Sequence, residues 1–587
     1  QNVAIGNYAG DANTTGNRNT SVGYNAGSSH TTANDNTAVG RQALVLNTTG
    51  DNNCAFGNSA LEQNTTASDN SAFGFYALAA NTTGSANCAF GKHALLSNTI
   101  GDYNTAVGNL ALDANTTGTR NTAVGYQSLS AATTADDNTA VGRQALRATT
   151  TGASNTALGK SALTDNGTGD YNTAVGMNCL LSNTTGTQNV AVGSFALDAN
   201  TTASNSTAIG HLALSANTVS GSTAVGHRAL HSNTTGAGNI AVGKDALYTN
   251  TTGQYNIAIG YDSLQQNNAD DNVAVGHDAL KLNTTGASNV AIGRNAADAL
   301  TTSSSVIAIG HNAAGQATNN ANQSVCVGVE AGAQMNETKN TLIGFYCGKD
   351  LDSGEGNTAV GNYAFASDQN STVSGANNTC VGRDAGKVIS SGQKNTLFGY
   401  AAGAGIQNGA SNVCIGPEAG GTGQITAGDN QLYIARNNTA NNNAATWIYG
   451  DTNGACYQGN NSSSWTTTSD IRLKKDIVDS PKGLNEINQL RVTNFYYKEE
   501  NEIDMSEFPL AKEPSQVCLA DEDKGGKLQT GLIAQEIEKV WPECIIESVR
   551  GVKTVDNDPI QWAMIKAIQE LSAENTALKQ RLDAAGL

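Results

Sequence analysis

The sequence predicts a mainly β protein. Its longer part reads as a parallel β-roll, or β-solenoid, of ~17-residue coils built as a homotrimer. A small α+β domain ending in a trimeric coiled coil follows. Three observations carry this expectation: a 17-residue internal repeat, an abrupt change of composition near residue 469, and a heptad seam at the C-terminus.

The repeat comes first along the chain. The motif Asn-Thr-Ala-Val-Gly begins at Asn2 and recurs at Asn19, Asn36, Asn53 and onward to Asn189 with a constant step of 17. It continues with steps of 16 to 18, one long step of 21 between Asn357 and Asn378, and a degenerate last unit at Asn430, which makes 26 units. Seventeen residues hold too little chain for two helices and their turns, but enough for one solenoid coil. We expect one strand at the Thr-Ala-Val run and a second around the Ala-Leu pair, with Gly and Asn-Thr-Thr-Gly at the corners. No proline occurs before Pro417, as central ladder strands require.

Alternation along the Thr-Ala-Val strand puts Thr and Val on one face and Ala on the other. Both columns are apolar, so both faces are expected to be buried. We expect the Thr/Val face to line the coil interior and the Ala column to be covered by identical rolls around a threefold axis. A single wide solenoid with Ala at tight corners is the alternative.

Composition then divides the chain. Residues 1–469 carry 17 Lys/Arg and 28 Asp/Glu, whereas residues 470–587 carry 15 and 22. The resulting expectation is a shaft at 1–436, a connector at 437–469, a globular domain at 470–558 and a terminal helix at 559–587. The net charge of −18 and the absence of a basic stripe argue against nucleic acid as a partner. No apolar run is long enough to span a bilayer, and no signal peptide is visible. The chain opens on Gln1, and we expect an attachment region upstream of it.

Candidate sites on the shaft are few. His211, His227, His277 and His311 follow repeat glycines, in different coils among unlike residues, so no metal site is expected. Asp136-Asp137 and Asp270-Asp271 are paired carboxylates at corners, where Asp is a common turn former. Asn13, Asn47 and Asn250 open Asn-Thr-Thr sequons whose recurrence already has a structural cause. The long step inserts about four residues around Asp368–Ser374. The ten cysteines form no CxxC pair. Cys326, Cys380 and Cys414 stand at Ala positions, and Cys54 and Cys88 stand in the Thr/Val column. No cofactor is implied.

At the C-terminus, Met564, Ile568, Leu571, Asn575, Leu578 and Leu582 step by 4, 3, 4, 3 and 4. Ile568, Leu571, Asn575, Leu578 and Leu582 read as a coiled-coil core, with Asn575 setting register.

Two resemblances add to this reading. The Asn-[Thr/Val]-Ala-[Val/Ile]-Gly unit resembles the head repeats of trimeric autotransporter adhesins, which implies a left-handed trimeric β-roll. The run Ser469-Asp-Ile-Arg-Leu-Lys-Lys-Asp-Ile477, the block Thr530–Glu543 and the tail Ile565–Leu571 resemble the endosialidase-type intramolecular chaperone, a self-cleaving C-terminal domain of phage tail spikes and fibres. The stretch Val555-Asp-Asn-Asp558 departs from that family by lacking an aromatic. The resemblance implies a cut between Ser469 and Asp470 by a dyad of Ser469 and Lys474. A lysine can serve as base where desolvation lowers its pKa, and no histidine follows His311.

The function expected from sequence is therefore a homotrimeric fibre of a virion, extracellular, that contacts a host-surface glycan or protein and joins other tail proteins through its N-terminal side. A bacterial surface adhesin and a polysaccharide depolymerase spike are the alternatives.

Overall fold

The computed structural model describes residues 1–317, 320–366, 372–421, 428–435, 446–450, 456–458, 480–496, 498, 502–508, 529–547 and 553–586. The chain divides into two compact units, Gln1–Trp465 and Thr466–Leu587.

The first unit is a parallel β-solenoid. Three-residue strands such as Thr37–Val39, Cys54–Phe56 and Ser71–Phe73 pair in parallel with the next coil. Each repeat position stacks on its own equivalent: Thr37 on Cys54, Ala38 on Ala55 and Val39 on Phe56. The ladder runs from Val3–Ile5 to Leu432–Ala435. Its last strand then pairs antiparallel with Thr446–Gly450, which pairs antiparallel with Cys456–Gln458.

Two amide ladders hold the stack. The Asn53 N–H donates to Asn36 Oδ1 (2.9 Å), and Asn53 Nδ2 donates to the Ala67 carbonyl (2.8 Å). At the Asn-Thr-Thr-Gly corner, Asn64 Nδ2 donates to Asn47 Oδ1 (2.9 Å), and Asn47 Nδ2 to the Gly50 carbonyl (2.9 Å). These asparagines are fully buried. An Asn side chain offers two donors and an acceptor, enough to serve its own corner and its neighbour at once. The corner sequon asparagines such as Asn47 and Asn250 are thus interior struts. Beside them Thr48 Oγ1 donates to the Thr65 carbonyl (3.0 Å).

Two expectations need correction. The Ala-Leu segment is not a second strand. Gln42 and Leu44 both have positive φ, near 60° and 54°, and equivalent residues repeat this in coil after coil. The segment is a stacked turn whose N–H groups reach both ways, Gln42 to Tyr24 O (2.9 Å) and Leu44 to Ala60 O (3.0 Å). A left-handed Leu costs about 1–3 kcal/mol. Burying its side chain contributes a similar ~1.5–3 kcal/mol.

The strand faces are also the reverse of the expected ones. The Ala column is completely buried within its own coil, and the Thr and Val/Ile/Phe columns point outward. The cause is volume. A coil this narrow encloses only small strand side chains beside the Leu and the Asn ladders, so Ala must be the inner one.

The core holds to that volume rule when the sequence changes. Coils from Leu44 to Leu280 carry Leu at the ninth repeat position and Ala at the strand centre. Several later coils put Gly at the ninth position and Cys or Leu at the strand centre, among them Gly332 with Cys326, Gly348 with Leu342, Gly386 with Cys380 and Gly403 with Leu397, whereas Ala297, Ala314 and Phe365 keep Ala at the strand centre. A Cβ on Gly332 would lie 2.6 Å from Cys326 Sγ, and one on Gly403 would lie 2.6 Å from Leu397 Cδ1. Met335, Leu351, Ile389 and Ile406 replace the corner Asn and are also buried. Near the N-terminus His30 takes the same role over Gly27, whose Cβ would meet the imidazole at 2.6 Å. Across the long step, Leu351 bridges Val373 and the stack resumes, while residues 367–371 of the insertion lie outside the described residues.

Exchanging the two interior solutions tests this. Gly403→Leu alone should overpack the coil at a cost of about 1–3 kcal/mol, and Leu397→Ala alone should open a cavity at about 2–5 kcal/mol. The combination with Ile406→Asn should lose less than the sum, because Leu, Ala and Asn together restore the other coil type; denaturant unfolding of the three proteins reads the difference.

His30 gives a pH test. Burial pushes its pKa down to about 4 from the usual 6.5, and its Nε2 has no hydrogen-bond partner. The unfolded chain therefore binds the proton more readily than the folded one. Stability is complete above pH ~6.5 and falls as pH drops toward about 4. The protection of the N-terminal coils against hydrogen exchange, corrected for the pH dependence of intrinsic exchange, should fall between pH 7 and 5, and His30→Asn should abolish that fall.

Candidate functional site

Two regions carry the functional expectations: the outer surface of the solenoid and the second unit.

On the solenoid, the paired carboxylates are structural. Asp136 accepts from the Thr119 N–H at 2.6 Å, while Asp137 pairs with Arg120 at 2.6 Å. The Arg120 side chain holds the Asp137 carboxyl below its usual range. Asp270 accepts from the Gln254 N–H at 2.8 Å. Adjacent carboxylates thus serve different neighbours and do not converge on one substrate. His211 and His227 stack with ring centroids 5.5 Å apart, and Tyr261 stacks on His277 at 5.0 Å. Spacing within one coil did not expose these contacts, because they form between equivalent positions of neighbouring coils. Cys54 and Cys88 are free and half-buried in the outer strand column. The deep cysteines Cys326 and Cys380 have thiols pushed far up by burial, which fits packing rather than reactivity.

The outer strand face is the larger feature. Ile5, Phe56, Phe90, Leu158, Ile259 and Phe398 all stand more than a third exposed on one continuous column. Phe56 and Phe73 stack at 5.0 Å along it. An apolar strip of this length on a single chain is a surface shaped for contact.

The second unit contains α1 (Leu484–Ile487), α2 (Ala534–Val540) and α3 (Asn557–Ala584) with two antiparallel strand pairs, α1 packing on α3 and α2 on the second pair. The pairs join Val492–Phe495 to Gln529–Leu532, and Ile545–Glu547 to Lys553–Val555. The block Thr530–Glu543 therefore spans a strand, α2 and a following 3₁₀ turn at Pro542–Cys544. Its apolar residues Ile537 and Trp541 form the core with Cys544, just after the block, and with Ile560 and Ala563 of α3. Ion pairs tie the block in place: Arg491 with Glu536, and Lys553 with Glu538 at 2.7 Å. The stretch that lacks the aromatic still starts α3, because Asp556 Oδ1 accepts the Asp558 N–H at 3.1 Å as an N-cap.

α3 carries two stripes. Ile560, Ala563 and Ala567 are buried in their own unit, a face that the heptad reading missed. Met564, Ile568, Leu571, Leu578 and Leu582 are 42–65% exposed, and Asn575 is exposed between them. Ile568 and Leu571 line an apolar groove with Leu484 and Ile487 of α1. Glu570 ties the two helices together, its Oε2 accepting the Leu484 N–H at 2.8 Å. Ser469, Asp470 and Lys474 lie outside the described residues.

With this geometry in place, the comparison is informative. Residues 469–546 match the family model described as the chaperone of endosialidase. The match opens at Ser469, takes in α1, α2 and the strands Val492–Phe495 and Gln529–Leu532, and ends within Ile545–Glu547. No curated protein matches the chain. A β-solenoid followed by this segment fits a tail-fibre architecture with a C-terminal endosialidase-type chaperone. Among the described residues, no helix is long and apolar enough to cross a membrane.

The core of the second unit should fail independently of the solenoid. Ile537→Ala removes the most enclosed aliphatic group there and should cost about 2–5 kcal/mol. Tryptophan emission should report an earlier loss of the Trp541 environment, with the circular dichroism transition of the solenoid unchanged.

Proposed function

We propose that the protein is a homotrimeric extracellular fibre of the tail-fibre or tail-spike type. In this reading it contacts the host surface, and its C-terminal unit brings three chains together before being cut away. The outer strand column carries the reading. Among the described residues, the outward Val, Ile and Phe are flanked along the column but left partly exposed, and side-by-side association of identical solenoids around a closed axis would cover them. The exposed stripe of α3 supports the same state, with Asn575 as the register-setting polar position in a core of Ile568, Leu571, Leu578 and Leu582.

A folding problem gives the C-terminal unit its purpose. Coils that are nearly interchangeable can pair one step out, and a slipped register still satisfies most hydrogen bonds. Long-range strand pairing is also slow. Three chains aligned at one end by a coiled coil start in step. Release of the aligning unit afterwards leaves an assembly that is kinetically hard to reverse.

The proposed cut lies between Ser469 and Asp470, with Ser469 and Lys474 as the dyad. The Ser469 hydroxyl attacking its own carbonyl would close a four-membered ring. Attack by the serine of a neighbouring chain, or by a water it orients, avoids that strain. Lys474 would take the proton, provided that desolvation lowers its pKa toward neutrality.

Purified full-length protein should yield fragments of 469 and 118 residues on a denaturing gel, and Ser469→Ala should remain intact. Light scattering should give three copies. The double variant Leu571→Asp, Leu578→Asp should lower the yield of trimer, and Ile259→Asp on the outer column should weaken the assembled shaft. A monomeric wild type would overturn the fibre reading. An uncut trimer would overturn only the cleavage.

A further inference from the structure

Between Asn295 and Asp350 the solenoid surface opens into a cleft of about 330 Å3, within the range of small-ligand sites. The sequence explains it. The tenth repeat position, which holds His231, Tyr248, Gln265 and Lys281 in earlier coils, holds Gly315 and Ala333 in the two middle coils here. Both are buried and form the floor. Asp298 stands at one end and Lys349 at the other, so the trough runs for three coil steps, ~14 Å along the stack.

The walls are polar and planar. Asn295, Asn312 and Glu330 come from the seventh repeat position, and Gln316 and Gln334 from the eleventh. Backbone bonds fix their spacing: the Gln316 N–H donates to Ala333 O (2.8 Å) and the Gln334 N–H to Lys349 O (3.1 Å). The seventh-position wall continues beyond the trough as Tyr346 and Tyr363, whose rings lie 5.2 Å apart, with Phe345 against Tyr346 at 4.1 Å. Lys349 joins the two parts, its Nζ 3.0 Å from Glu330 and 4.5 Å from the Tyr346 ring centre.

We propose that this trough is a binding site for a neutral oligosaccharide laid along the shaft. Amides and carboxylates at regular spacing match the paired donors and acceptors of vicinal hydroxyls. The aromatic platform suits the apolar face of a sugar ring. Charge decides against an acidic glycan: among the residues that line the trough, Asp298, Glu330 and Asp350 stand with a single cation, Lys349, which pairs with Glu330. The trough follows the corner glycines, whereas the strand column precedes them, so association through the strand face leaves the trough on a different side of the coil. The proposal deepens the host-contact reading above and rests on it for the biological partner.

The test uses full-length trimeric protein on an array of immobilised neutral and acidic glycans. Wild type should bind neutral glycans. Gln316→Ala with Gln334→Ala should weaken that binding by about tenfold, the scale of one or two hydrogen bonds, and Tyr346→Ala should weaken it similarly. Melting of the shaft should not change. A matched pair on an ordinary coil, Gln127→Ala with Gln144→Ala, should bind as wild type. No glycan binding, binding confined to acidic glycans, or binding unaffected by the trough variants would overturn the proposal. Whole-cell adhesion, measured in parallel, separates the two readings: adhesion retained by the trough variants leaves host contact standing and removes the trough from it.

Discussion

The structure depends on one constraint: every residue of a coil lies against the equivalent position of the next, which in the interior is most often the same residue type. With a 17-residue step, Asn36 meets Asn53 and Ala38 meets Ala55, and so on through the stack. Stacking like on like is favourable only for side chains that can bond to copies of themselves or pack beside them. An amide can, because it donates and accepts at once. A buried charge needs an unlike neighbour instead, as Asp245 has in Arg228 of the preceding coil at 2.8 Å. The low charge of the repeat and its wealth of Asn and Thr follow from this requirement.

The same constraint makes the interior a shared volume. A Leu at the ninth position needs Ala at the strand centre, and a Gly there admits Cys or Leu. Neighbouring coils touch through these groups: a Cβ on Gly332 would also meet Leu342 of the next coil at 2.9 Å, and one on Gly386 would meet Leu397 at 3.2 Å, so the interior of one coil constrains that of the next. The change of interior residues after Leu280 coincides with the loss of bulk on the outer corner, where the trough opens. Core packing and surface relief are therefore set together in this fold.

Much of this was legible in the sequence. The coil period and the strand run could be read because they are local and repeated. The orientation of the strand could not, since the Ala and Val columns are both apolar and alternation alone does not say which is inside; the narrowness of the coil decides it. The turn at Leu44 was hidden because a left-handed Leu contradicts its ordinary preference, and only the stack justifies it. The burial of Cys326, Cys380 and Cys414 follows from their Ala positions, but their coupling to Gly332, Gly386 and Gly420 six residues on leaves no pattern in the sequence, because it is set by volume rather than by residue type. In the second unit the heptad stripe concealed the other face of α3, because Ile560, Ala563 and Ala567 are small or few. The neutral trough gave no motif at all: its signal is an absence of bulk at Gly315 and Ala333.

The reversal of strand direction at Leu432–Ala435 has a consequence of its own. A parallel coil offers the next chain a template identical to the one it just used, and nothing in such a template says where to stop. The antiparallel strand Thr446–Gly450 changes the hydrogen-bond spacing, and the register shifts between Ile434 and Ala435. A stray coil from another molecule cannot continue that pattern, so the finished rod carries its own terminator and is shielded on this side from runaway end-to-end polymerisation.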